Sequence, residues 1–209
     1  MAKKCLLLIK GKEGGSSLRL IVGISGATGA IFGIRMLEFL QRAGVETHLI
    51  LSQWAEVTVH LETSYTMSEI KQLASYVYSP KNLAASISSG SFQVDGMVIA
   101  PCSMKSLASI RHGLADNLMT RAADVLLKER KKLVLLTREM PFSDIHLENM
   151  LDLSRMGVTI LPPVPAFYNH PQSIDDLVNH IVVRTLDQFG LDTEEAKRWN
   201  GIHATTKNR

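Results

Sequence analysis

Between Gly23 and Gly29 the chain reads Gly-Ile-Ser-Gly-Ala-Thr-Gly. Glycines let a backbone turn sharply and approach a ligand closely. The free N–H groups of a helix opening just beyond can receive phosphate oxygens, helped by the helix dipole. The hydroxyls of Ser25 and Thr28 add donors. No Lys-Ser/Thr pair follows, so the stretch is no Walker A loop, and its spacing is not the GxGxxG dinucleotide fingerprint. A ligand-free turn from strand to helix fits the same letters. Ser52, after the apolar run ETHLIL, either binds a phosphate or ring edge or caps the next helix.

Further along, Pro101-Cys102-Ser103-Met104-Lys105-Ser106 offers backbone amides, two hydroxyls and a lysine. Cys102 reads as a small buried side chain rather than a nucleophile. Arg138-Glu139 sets a guanidinium that can grip a carbonyl or phosphate beside a carboxylate that can move protons; a structural ion pair is the alternative. Arg121, Asp124 and Lys128 fall on one helix face. They make either a cationic wall for a phosphate or an Asp124–Lys128 surface pair worth little. Tyr168 and Arg184 suit a phosphate monoester, or equally an interface. The histidines show no metal-ligand spacing, so no metal is expected.

These residues need a scaffold, and the apolar pattern supplies one. Arg19 to Ile24, Glu46 to Leu51, Gly96 to Ala100, Lys132 to Thr137 and Val158 to Ile160 read as strands. Helices are expected from Ala30 to the stop at Gly44, over Asn117 to Glu129, Leu147 to Arg155 and Asp175 to Gln188. Strands alternating with helices predict a doubly wound parallel α/β sheet, flavodoxin-like or Rossmann-like. Ligands of such sheets bind beyond the carboxyl ends of the strands, near a topological switch point. The loops 25–29, 52–54, 101–106 and 138–141 all follow strands, which points to one shared site.

The 209 residues suffice for one domain with a full core. Residues 1–18 read as a flexible N-terminal extension and 19–209 as a single α/β domain. A formal net charge of +3 is too small to imply a nucleic-acid surface, though it fits phosphate-bearing small molecules. The early apolar run Cys5 to Ile9 is too short for a membrane span. Two distant cysteines suggest no disulfide framework, and a reducing cytoplasm is expected.

Six ordered stretches carry a resemblance: GISGATGA (23–30), SSGSF (88–92), PCSMKSLA (101–108), RAADVLLKER (121–130), REMPFSDIHLENM (138–150) and PPVPAFYNHPQS (162–173). Together they resemble the UbiX family of flavin prenyltransferases, in the branch named as the second component of phenolic-acid or vanillate decarboxylases. The resemblance implies the fold of homo-oligomeric flavin-containing Cys decarboxylases, assembled as dodecamers with sites at subunit junctions. It implies a metal-independent transfer of a dimethylallyl group from dimethylallyl phosphate to N5 and C6 of reduced FMN. The product, prenylated FMN, would pass to a UbiD-type decarboxylase.

Carried over by position, the resemblance assigns Gly26, Ala27 and Thr28, with Ser52, Ser103, Met104, Lys105, Ser106 and Arg138, to the flavin. It assigns Arg121, Lys128, Tyr168 and Arg184 to the prenyl phosphate, some of them from a neighbouring subunit. Glu62 and Glu139 match acidic positions tied to phosphate ionisation and proton transfer, and Trp199 a tryptophan near the site. Thr28 stands where many members carry serine, and keeps the hydroxyl. Other readings are an FMN-dependent decarboxylase, which the absence of Asn from the PCSMKS loop disfavours, and a flavin carrier subunit without catalysis.

Overall fold

The computed structural model describes residues 18–193. Strand β1 (Arg19–Ile24) leads into helix α1 (Ala30–Arg42), and β2 (Glu46–Leu51) into α2 (Gln53–Glu62) and α3 (Met67–Gln72). Next come β3 (Tyr76–Tyr78), β4 (Gly96–Cys102), α4 (Met104–Arg111), α5 (Leu118–Lys128) and β5 (Lys132–Thr137). The order closes with α6 (Asp144–Arg155), β6 (Thr159–Ile160) and α7 (Ile174–Leu186). The strands form one sheet in the order β3-β2-β1-β4-β5-β6, and every pairing is parallel. The order reverses between β1 and β4, so the crevice expected of such a sheet opens at their carboxyl ends.

Alternation along the strands splits the core into two layers. Leu20, Val22 and Ile24 of β1, with Val98 and Ala100 of β4, pack under α1 and α7. Ile21, Met97, Ile99 and Cys102 pack on the other face, with Leu107 of α4, Leu118 and Ala122 of α5, and Leu153 of α6.

The boundaries around β4, α4 and α6 differ from the sequence reading in ways that bear on the site. Strand β4 runs past Ala100 to Cys102, because Cys102 still pairs with Thr137 after a register shift. Helix α4 starts at once, its first turn capped by the Ser103 hydroxyl. The expected loop 101–106 is therefore half strand and half helix. Helix α6 begins at Asp144 rather than Leu147, because Ser143 and His146 form a reciprocal cap there.

Candidate active site

Four strand ends meet at the crevice, and short hydrogen bonds tie them. The Ser25 hydroxyl is buried; it donates to the Pro101 carbonyl at 2.8 Å and accepts from the Ser103 amide at 2.9 Å. The Ser25 amide also donates to Pro101, at 3.2 Å. The ends of β1 and β4 are thus stitched across the switch point, and Ser25 is not the ligand donor its position suggested. The Ser52 amide donates to the Ile24 carbonyl at 3.0 Å, and the Arg138 amide to the Cys102 carbonyl at 3.1 Å.

Gly26 has to be glycine. A Cβ there would overlap the Cβ of Trp54, so the β1–α1 turn lies directly on the start of α2. Gly29 holds φ at 97°, the left-handed region, and turns the chain into α1. Its amide and that of Ala30 donate to the Glu62 carboxylate at 2.8 and 3.2 Å. These are N–H groups expected to receive phosphate oxygens. The first turn of α1 does carry an anion, supplied by α2 of the same chain. Thr28 is exposed beside it. Ser52 caps α2 through the Ala55 amide at 3.1 Å, so the capping alternative holds while its residue still lines the crevice.

Around Ser103, its hydroxyl donates to that of Ser106 at 3.1 Å; Met104 is half-buried and Lys105 exposed. Arg138 and Glu139 do not pair with each other. Glu139 accepts from the Met140 amide at 3.0 Å, and the Arg138 guanidinium meets no partner among the described residues. Directly beneath, the Thr137 hydroxyl is 1% exposed and has no partner either. Burial pushes the Cys102 thiol up to about 12, which leaves it protonated and inert.

Gly26, Ala27, Thr28, Ser52, Glu62, Ser103 to Ser106, Arg138 and Glu139 therefore gather at the carboxyl edge of the sheet. Two of the other candidates, Lys128 and Arg184, do not join them within one chain. Helix α5 starts beside β3, where the Leu118 amide donates to the Pro80 carbonyl at 2.8 Å, and descends to Lys128, just before β5 begins at Lys132. Arg121 pairs with Asp124 at 2.7 Å and Lys128 with Glu129 at 2.5 Å, so the expected Asp124–Lys128 pair is not formed.

Helix α7 descends too. Phe189, just past its end, would lie 2.7 Å from a Cβ on Gly96, the first residue of β4. Arg184, near that end, pairs with Asp187 at 2.7 Å. Tyr168 packs edge-on against His180, one turn before Arg184, with centroids 5.9 Å apart. Burial and the Arg184 charge hold His180 below the usual histidine range, against the pull of Asp187. Lys128 and Arg184 thus stand towards the opposite edge from the crevice. Trp199 lies outside the described residues. Among those residues no cluster of His, Cys, Asp or Glu could hold a metal, and no helix is long and apolar enough to cross a membrane.

The sequence reading missed one group altogether. His48 on β2 is buried between Glu46 and the tyrosines of β3. A histidine at an inward position of an apolar strand was the available signal.

The Flavoprotein family profile matches residues 10–186. A protein of Bacillus subtilis (strain 168) named "Probable UbiX-like flavin prenyltransferase" is 67% identical over 191 residues, 91% of this chain and 94% of that one. Among solved structures, a dodecameric FMN-dependent UbiX-like decarboxylase from Escherichia coli O157:H7 matches with a TM-score of 0.87 and 58% identity, covering 88% of this chain and 100% of that one. AnUbiX (PadA1), solved with FMN and dimethylallyl pyrophosphate, matches with a TM-score of 0.89 and 52% identity, covering 90% and 100%.

Proposed function

The chain belongs to the Flavoprotein family, in its UbiX-like flavin prenyltransferase branch, and from that membership we propose that it joins a dimethylallyl group to N5 and C6 of reduced FMN. The crevice fits a flavin on its own evidence. Among the described residues, the Arg138 guanidinium and the buried Thr137 hydroxyl present donors without partners at the carboxyl ends of the strands, as flavin carbonyls or a phosphate would need. Bound reduced FMN would supply the nucleophilic nitrogen and carbon of the reaction.

The chain's own residues would do the rest. The C–O bond of the allylic phosphate would break, its electron pair leaving with the phosphate, as N5 takes the freed carbon and gives up its proton; protonation of the remaining dimethylallyl double bond would then let C6 bond the tertiary carbon and give up its own proton. Arg121, Lys128, Tyr168 and Arg184 hold the departing oxygens. Glu139 or Glu62 gives the phosphate a proton and takes one as the ring closes; the Thr28 hydroxyl orients the reacting edge. Holding the reactants face to face supplies much of the rate.

Because Lys128 and Arg184 stand away from the crevice in their own chain, neighbouring copies bring them to it, in an assembly like the dodecameric E. coli relative. The prenylated FMN is released to a UbiD-type decarboxylase, and the chain works in the cytoplasm. The observation that carries this reading is the convergence of four strand ends on one crevice. Its test is to mix the purified protein with reduced FMN and dimethylallyl phosphate and follow flavin mass and free phosphate. A gain of one five-carbon unit per phosphate released is expected; a flavin of unchanged mass would leave only a carrier.

A further inference from the structure

Residues 79–95 leave the sheet after β3 and return at β4, and both α5 cations lean on this excursion. Arg121 Nε donates to the Ser88 carbonyl at 3.2 Å. Lys128 Nζ lies 2.8 Å from where a Cβ on Gly90 would stand. One cluster grips the excursion at both ends. At its start the Tyr78 hydroxyl is 2.9 Å from His48 Nδ1, and the rings of Tyr76 and Tyr78 stack on the imidazole at 4.9 and 5.7 Å.

At its end Phe92 meets His48 edge-on at 5.3 Å and lies 4.9 Å under the Arg19 guanidinium. Arg19 Nη1 donates to the Gln93 carbonyl at 2.8 Å, and the Arg19 amide to the Asp95 carboxylate at 2.9 Å. Glu46 joins the two ends: its carboxylate accepts from Arg19 Nε at 2.6 Å and lies 2.9 Å from His48 Nε2.

We propose that Arg19, Glu46 and His48 form a clamp that positions residues 79–95, and through them Arg121 and Lys128, and that the clamp closes fully only around a neutral imidazole. The functional half rests on the assignment of those two cations to the prenyl phosphate. The geometry sets the tautomer. An ionised Glu46 can only accept, so Nε2 carries the hydrogen and Nδ1 accepts from the Tyr78 hydroxyl. A second proton on Nδ1 reverses that bond, so that Nδ1 donates to the Tyr78 oxygen, and sets a buried imidazolium beside the Arg19 guanidinium on one carboxylate.

The groups facing His48 are Arg19 from β1, Glu46 from β2, Tyr76 and Tyr78 from β3, and the Phe92 ring. Burial is the largest influence and holds His48 below the usual histidine range; Glu46 opposes it and Arg19 adds to it. The folded value lies under the unfolded one. The clamp is therefore intact above the ordinary histidine range and is lost as pH falls through the folded value.

Amide exchange in the full-length protein tests this, with protection factors measured from about pH 8 to about pH 5 across the histidine range. Amides of 79–95 should lose protection about tenfold at the acid end, a shift near 1.4 kcal/mol, while those of β1 and β4 hold. His48→Gln, which keeps a donor towards Glu46 but takes no proton, should abolish that pH response. Tyr78→Phe should show the loosened excursion at every pH and raise KM for dimethylallyl phosphate several-fold with FMN affinity unchanged.

Flat protection in the unaltered protein, a pH response that persists in His48→Gln, or a Tyr78→Phe protein with unaltered exchange and KM would each overturn the clamp. Should the unaltered protein transfer no prenyl group, the functional reading fails, and the exchange data still judge the clamp.

Discussion

Replacing Ser25 with alanine probes the stitch that makes the crevice. The hydroxyl is 2% exposed and makes two hydrogen bonds, to the Pro101 carbonyl at 2.8 Å and from the Ser103 amide at 2.9 Å. Alanine leaves the carbonyl one donor, the residue's own amide at 3.2 Å. It leaves the Ser103 amide with none. An unmet donor costs about 1–3 kcal/mol, and each lost bond about 1 kcal/mol; partial exposure of Ser103 places the total near 2 kcal/mol. The same change frees the start of α4 from the β1 turn, so FMN should bind about tenfold more weakly, as a shift near 1.4 kcal/mol would give. Denaturant midpoints and flavin fluorescence titrations read the two effects separately. Ser25→Cys, similar in shape but a poor hydrogen bonder, should fall between. A Ser25→Ala protein that matches the original within about 0.5 kcal/mol in stability and in FMN affinity would refute the stitching argument.

Other outcomes follow from the same geometry. Glu139→Gln should retain FMN and slow prenyl transfer by about 10²-fold or more, in line with loss of a proton-transfer group; single-turnover rates at saturating flavin read this. Arg184→Ala should raise KM for dimethylallyl phosphate by roughly tenfold or more, the worth of a charge-assisted hydrogen bond, with FMN affinity kept. Mixed under conditions that exchange subunits, Arg184→Ala and Arg138→Ala proteins should regain up to roughly a quarter of the original rate, because random pairing restores that share of sites shared between two copies; mixtures with no gain would place both arginines in one chain's site. Cys102, buried with its thiol pushed up to about 12, should resist alkylation near pH 8 until the protein unfolds, as counted by intact mass.

The long apolar strands were legible because burial on both faces writes a continuous run, as in Leu133 to Leu136. Strand β3 was not. It has three residues, pairs with β2 alone, and leaves Tyr76 and Val77 exposed, so it carries no buried run. Helix α4 was hidden because β4 passes straight through Pro101 and the helix opens three residues later at Met104.

In the site, the loops at strand ends could be read, since topology alone sends them to one edge. The fate of Ser25 could not. A hydroxyl beside glycines suggests a ligand, and only the approach of Pro101 shows that another strand uses it. Lys128 and Arg184 were placed by motif, and no pattern along the chain says that each descends its helix away from the crevice. His48 was invisible as chemistry because Glu46, Tyr78 and Arg19 come from three strands whose register only the folded sheet defines.

Diffraction from crystals soaked with FMN tests the central claim most directly. The isoalloxazine should lie over the β1–β4 crevice, bordered by Thr28, Ser103 and Arg138 of one chain, with Arg184 of a neighbouring copy beside the crevice where the prenyl phosphate would sit. A flavin bound away from those strand ends, or one met by Arg184 of its own chain, would contradict the account.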